Sequence, residues 1–251
     1  MKATHINHFV LLSGGIDSTT CLGIAKSKQR HSAVLGRDYY TAVSVDYGQR
    51  HKREIESAEK VARYYTAEHR VLKLDGMPKT MLTDERVAVP DISYDQIEGV
   101  SPTYVPFRNG QMLSLIAAQA QDWVIRKSKE LVAIGEMVDV SAIIYAGVHA
   151  EDAANWAYPD CTPEFIGAMA NAIYVGTYGA VRLQAPLQYM NKQQIIMEGT
   201  SLCVPYHLTW SCYKGGDKHC GTCPTCRSRH AGFVNARIAD PTEYASIPGS
   251  I

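Results

Sequence analysis

The stretch His8-Phe9-Val10-Leu11-Leu12-Ser13-Gly14-Gly15-Ile16-Asp17-Ser18-Thr19-Thr20-Cys21 decides the fold. Its apolar run predicts a buried strand. Ser13-Gly14-Gly15 predicts a tight turn, and Asp17, Ser18 and Thr19 suit a helix start. Strand, glycine turn and helix together make an anion site. Glycines admit an oxyanion close to backbone N–H groups, and a helix N-terminus adds free donors and a favourable dipole. Neither GxxxxGK[ST] nor GxGxxG is present.

The pattern Ser-Gly-Gly-x-Asp-Ser resembles the loop of the PP-loop ATP pyrophosphatases, which split ATP between its α and β phosphates and transfer AMP to an acceptor oxygen. An ordinary glycine turn before a Ser/Thr cap is the plainer alternative.

The chain has 251 residues, enough for one large α/β domain or a domain with a small appendage. Lys+Arg and Asp+Glu both number 25, so no broad basic field would bind nucleic acid by charge alone, and no direct nucleic-acid partner is expected. The polar start, Lys2 to Asn7, lacks a signal-peptide h-region, and no stretch reaches transmembrane length. A cytoplasmic protein without a membrane partner is the expectation.

Outward from the loop, a helix is expected over 19–28 and a second strand over 41–45, ending in the polar loop Asp46-Tyr47-Gly48-Gln49-Arg50-His51. A helix over 52–65 carries Ile55, Ala58, Ala62 and Tyr65 on one face and charges on the other. A third strand covers 69–74. Residues 75–106 hold four prolines and predict a long loop. A helix from Asn109 to at least Trp123 follows, with the segment to Glu136 either extending it or forming another. Strands are expected over 141–148 and 181–187, and helices over 162–175, with Thr162 as cap, and over 191–202, with Asn191 as cap. This is α/β: a doubly wound, mainly parallel sheet whose ligands sit beyond the C-terminal strand ends.

The chain has seven cysteines, and four of them, Cys212, Cys220, Cys223 and Cys226, follow C-x7-C-x2-C-x2-C. That density of thiolates suits a closed, structural Zn²⁺ site, with a four-cysteine iron–sulfur cluster as the runner-up. His219 could compete as a ligand. The division expected is a catalytic domain over 1–205 and a zinc-binding module over 206–251.

SGGIDSTTCL, VDYGQRHKREI, VPFRN, AYPDCTPEF and CYKGG…CGTCPTCRSR occur in one order over residues 8 to 229. Together they resemble the 7-cyano-7-deazaguanine synthase family. The resemblance implies a PP-loop fold, bound zinc, a homodimer, and conversion of the small molecules 7-carboxy-7-deazaguanine, ammonia and ATP into a nitrile through adenylated intermediates. It implies that Ser13, Gly14, Gly15, Ser18 and Thr19 hold pyrophosphate, and that Asp17 holds Mg²⁺ or orients the loop. Adenine would lie against backbone near Leu12 and Val45. Arg108 is expected as a phosphate or carboxylate clamp. Asp46, Gln49 and Arg50 could touch ATP or substrate. Asp152, Asp160 and Glu164 are candidates to read the guanine-like edge. Cys161 reads as a small buried residue and not a nucleophile. Two departures stand out: Phe107 replaces the family's usual glycine before Arg-Asn, and the 121–140 segment is longer. The first leaves open an amide-forming variant. Another PP-loop enzyme, such as a tRNA thiolase, would need a tRNA-binding surface or a catalytic cysteine pair, and neither is evident.

Overall fold

The computed structural model describes residues 3–29, 36–50, 52–84, 86–89, 91 and 100–249. His51 of the polar loop, and Pro90 with residues 92–99 of the long loop, lie outside the described residues.

The chain runs β1 (Ala3–Leu11), α1 (Ile16–Ser27), β2 (Gly36–Asp46), α2 (Arg53–Tyr64), β3 (Glu68–Lys73), α3 (Arg108–Ala133), β4 (Val138–Tyr145), α4 (Pro163–Gly176), β5 (Val181–Gln184), α5 (Lys192–Ser201) and α6 (Pro224–Ala236). Short three-ten turns at Ala150–Trp156, Pro159–Cys161 and Tyr206–Leu208 punctuate it. The five strands are parallel in the order β3-β2-β1-β4-β5. Chain order reverses between β1 and β4, which opens a crevice at their C-terminal ends.

Helices cover both faces, and this explains the unbroken apolar run of β1. Val10 and Leu12 face a core shared with α1, α2 and α5. Phe9 faces the opposite core, built with α3, α4 and β5. Tyr206, Phe233 and Ile238 join the first core, so the C-terminal segment packs on the same interior as α1 and α5.

Several bounds differ from the sequence expectation for identifiable reasons. β1 and β2 begin well before their apolar runs. Their polar residues pair inside the sheet: Asn7 Nδ2 donates to Thr41 Oγ1 at 3.0 Å, and His8 Nδ1 meets the Tyr145 hydroxyl at 3.2 Å. Helix α1 starts at Ile16 and not at Thr19, because Gly15 is already its N-cap. Helix α3 is one continuous helix to Ala133. Strands β4 and β5 end three residues early, and residues 146–148 are instead given to the crevice. Helix α6, capped by Cys223 with Pro224 in its first turn, is an element that turn reading around the cysteines did not anticipate. Thr162 and Asn191 do cap α4 and α5, the latter in a capping box with Gln194. Among the described residues, no helix is long and apolar enough to cross a membrane.

Candidate active site

The crevice is lined by Leu12, Ser13, Gly15, Asp17 and Ser18 from the first loop, Val45 and Gln49 after β2, and Arg108 and Asn109 at the start of α3. Gly147, Asp152 and Cys161 close the β4 side, and Lys192, Trp210 and Arg229 close the rim.

The phosphate loop is held by its own hydroxyls. Ser13 N donates to Ser18 Oγ at 3.1 Å, the Ser13 and Ser18 hydroxyls lie 3.0 Å apart, and Gly15 N donates to Ser13 Oγ at 3.4 Å. Gly14 adopts φ +83°, and its carbonyl accepts from Trp210 N at 2.9 Å. A Cβ there would collide with backbone of α2, lying 2.7 Å from Ala58 N and still closer to Glu54 O. Gly147 is required for a similar reason: a Cβ would lie 2.7 Å from Ser18 N, so only glycine lets the end of β4 approach the first turn of α1. Gly14 and Thr19 do not line the crevice. Thr19 is fully buried, and its hydroxyl finds no partner among the described residues.

Asp17 faces Lys192, whose Nζ donates to both carboxylate oxygens at 2.7 and 2.8 Å. His149 Nε2 lies 3.2 Å from the same ammonium and 3.4 Å from Asp152 Oδ2. Burial pushes the Asp17 carboxyl up, but Lys192 and His149 outweigh it and hold the group below its usual range. Lys192 is brought to the loop by the capped start of α5, 175 residues away in sequence, and only the fold reveals it.

At the other end, Arg108 opens α3, and its guanidinium reaches the Tyr47 hydroxyl at 3.4 Å. Asp160, 4% exposed, accepts from Asn109 N at 3.0 Å and so caps that helix from outside the crevice lining. Burial lifts its carboxyl above the usual range against the pull of Asn109 and Arg108. Burial likewise pushes the Cys161 thiol up, which leaves it a poor nucleophile. Phe107 explains its own place in the motif. It sits at φ 54°, a left-handed conformation glycine adopts freely, and its ring packs edge-on against Phe165, away from the crevice.

The other expected residues, Glu164 apart, are held by hydrogen bonds. Leu12 N donates to Val43 O and its carbonyl accepts from Ser44 Oγ, while the Val45 carbonyl accepts from Gln49 Nε2. Asp46 accepts from Gly48 N in a local turn, outside the lining. Arg50 donates to the carbonyls of Met81 and Val87, pinning the long loop. Glu164 is exposed in the first turn of α4 and does not line the crevice.

The four clustered thiols hold their sulfurs within 4.8 Å of one another, with Cys220 and Cys226 Sγ 3.9 Å apart. A tetrahedral Zn–S site with bonds of about 2.3 Å needs sulfurs about 3.8 Å apart, so the set fits zinc. Cys220 Sγ accepts from Thr222 N and Cys223 N at 3.4 and 3.3 Å, bonds that favour thiolate. His219 is not part of this set, because its Nε2 accepts from Ser211 N at 3.0 Å. Arg229, 1% exposed, ties the adjoining helix to the crevice, donating to Thr209 Oγ1 at 2.7 Å and to the Tyr206 carbonyl at 3.0 Å.

A glycine loop at the switch point of a β3-β2-β1-β4-β5 parallel sheet, flanked by a four-thiol module, defines a nucleotide-binding α/β enzyme of the PP-loop class. Within that class the chain belongs to the queuosine biosynthesis protein QueC family, whose model matches residues 7–237. Curated relatives named 7-cyano-7-deazaguanine synthase match over nearly their whole length. That of Thermoplasma acidophilum is 42% identical over 95% of this chain and 92% of its own. That of Oceanobacillus iheyensis is 42% identical over 94% and 96%. That of Pseudomonas aeruginosa strain LESB58 is 42% identical over 94% and 96%.

Proposed function

We propose that this protein converts 7-carboxy-7-deazaguanine, ammonia and ATP into 7-cyano-7-deazaguanine. The observation that carries the reading is a single crevice with a phosphate loop at one end and the Arg108 guanidinium at the other, in a chain about 40% identical to named synthases over nearly its full length. A carboxylate needs activation before an amine can displace its oxygen, and AMP transfer supplies the leaving group. The amide oxygen that results is again a poor leaving group. One loop must therefore activate twice.

In this reading Ser13, Gly15 and Ser18 hold the departing pyrophosphate, with Gly14 and Thr19 shaping the loop from behind. The adenine rests against the Leu12 and Val45 backbone. Lys192 releases Asp17 to meet the phosphates as they arrive. Arg108 orients the substrate carboxylate by its fork. Asp152 and Gln49 face the remaining space, and Asp152 reads the guanine-like edge, while Asp160 acts through the α3 start it caps. Asp46, Arg50 and Glu164 act at most indirectly, through the loops they fasten.

Mg²⁺ bound with ATP would neutralise charge on pyrophosphate, and Asp17 is the carboxylate that would hold it. Zn²⁺ on Cys212, Cys220, Cys223 and Cys226 is structural, in a module over 206–251. The apolar, exposed end of α4, with Tyr174, Val175 and Tyr178, supports a homodimer. The setting is cytoplasmic.

The test is pyrophosphate release in the presence and absence of the deazaguanine acid. Release that needs the acid is expected. Release indifferent to it refutes the assignment.

A further inference from the structure

The reaction proposed above strips nitrogen of its protons. Nitrogen enters as ammonium and ends in the nitrile with none, so a base must stand beside the reacting carbon. Among the described residues, three carboxylates line the crevice: Asp17, Glu54 and Asp152. Asp17 is occupied by Lys192, and Asp152 faces His149. Burial keeps the Cys161 thiol and the Tyr47 phenol protonated.

Glu54 is different. Among the described residues, its carboxylate makes no hydrogen bond or ion pair, yet it lines the crevice. It stands in the first turn of α2, and its own carbonyl oxygen abuts Gly14, which fixes it beside the phosphate loop. Arg108 acts on it electrostatically from α3. Glu54 thus lines the crevice beside the loop that takes pyrophosphate and within electrostatic reach of the guanidinium assigned to the acid.

We propose that Glu54 is the catalytic base of both nitrogen-handling steps, taking protons first from ammonium and later from the amide nitrogen; this rests on the function proposed above. In the first half-reaction the Glu54 carboxylate accepts a proton from ammonium. The freed lone pair forms the C–N bond, a further N–H proton is lost, and the C–O bond to AMP breaks with its electron pair leaving on AMP. In the second, the amide oxygen attacks the α-phosphorus of a new ATP, pyrophosphate leaves, and nitrogen sheds one proton. Glu54 then takes the last N–H proton, the electron pair becomes the third C–N bond, and AMP departs with the former amide oxygen. Each proton passes from Glu54 to water at the crevice mouth. Nothing is oxidised or reduced.

Burial supports the role by pushing the Glu54 carboxyl up to about 7, against the pull of Arg108, so that it can accept and release protons near neutrality. The charged and titratable groups around it are Arg108 from α3, Tyr47 from the loop after β2 and Tyr213 from the loop between Cys212 and Cys220.

The test compares Glu54→Gln and Glu54→Asp with the wild-type protein in two assays: acid-dependent ATP–pyrophosphate exchange without ammonia, and single-turnover amide formation with ammonium. Glu54→Gln should lower amide formation by about 10²–10³-fold, the usual weight of a general base. Exchange should fall by less than about fivefold, because adenylation of a carboxylate moves no proton from nitrogen. The pH limb near 7 should disappear in Glu54→Gln and persist in Glu54→Asp. Parallel loss of exchange and amide formation would make Glu54 part of the ATP loop and overturn the proposal, as would an unchanged pH limb in Glu54→Gln. Absence of exchange in the wild-type protein would overturn the function reading itself.

Discussion

Replacing Gly14 by alanine tests the phosphate loop at its tightest point. The residue sits at φ +83°, which costs an L-residue about 1–2 kcal/mol. The added Cβ would lie 2.7 Å from Ala58 N, about 0.7 Å short of ordinary contact, and Ser57 Cβ would be only 3.0 Å away. The obstacle is helical backbone, which cannot rotate aside as a side chain can. Overpacking of this kind costs about 1–3 kcal/mol. If the loop holds its place, unfolding stability should fall by about 2–5 kcal/mol, a drop in melting temperature of roughly 4–20 °C for a chain of this size. If the loop yields instead, Ser13 and Gly15 shift by a good part of an ångström, and turnover should fall by about 10²-fold. Calorimetry and ATP–pyrophosphate exchange on one preparation separate the two outcomes. Gly15→Ala is the control, since its Cβ would meet only Ser13 Oγ at 3.5 Å and Trp210 O at 3.6 Å, and its φ is −81°. It should leave stability within about 1 kcal/mol of wild type. A Gly14→Ala variant that melts within a degree of wild type and exchanges pyrophosphate at the same rate would show that Gly14 is not a tight point of the loop.

Three further outcomes are expected. Phe107→Gly relieves a left-handed φ but loses the edge contact with Phe165, so stability should change by less than about 1 kcal/mol; because the ring points away from the crevice, the amide-to-nitrile ratio in a product assay should not move. Cys223→Ser should lower zinc content below about one per chain and destabilise the fold, read by elemental analysis and thermal melting; a metal-free chain that melts like the loaded one would sink the structural role. The raised carboxyl of Glu54 makes the folded state bind a proton more readily than the unfolded one, so its contribution favours folding below about pH 4.5 and is lost as pH rises toward 7. Urea unfolding of Glu54→Gln against wild type should show the variant gaining up to about 3 kcal/mol between pH 5 and pH 8, and a constant difference across that range would contradict the burial argument.

The sequence was most legible where one residue type serves a local purpose. The apolar run of β1, the glycine turn and the spacing of the cysteines each report a local geometry, and each of these features sits together in the structure. Arg108 was legible as a clamp candidate and lines the crevice. What stayed hidden depends on partners distant in sequence. Lys192 gives no local signal, since a lysine opening an amphipathic helix is ordinary until Asp17 is found 2.7 Å away. Glu54 reads as one more charge on the solvent face of α2, and only the packing of that helix against Gly14 turns it inward. Arg50 is a further case: its motif suggests a ligand contact, and its Nη1 also ties to the distant backbone carbonyls of Met81 and Val87, which no local signal announces. Helix α6 could have been anticipated from Pro224 following Cys223, the same cap-and-proline arrangement that marks α4 at Thr162 and Pro163.

The central claim is that one phosphate loop activates the same substrate twice. A time course with limiting deazaguanine acid, following acid, amide, nitrile and AMP by mass, tests it directly. Amide should rise and then fall, with two AMP released for each nitrile formed. Amide accumulating as the final product at one AMP apiece would contradict it.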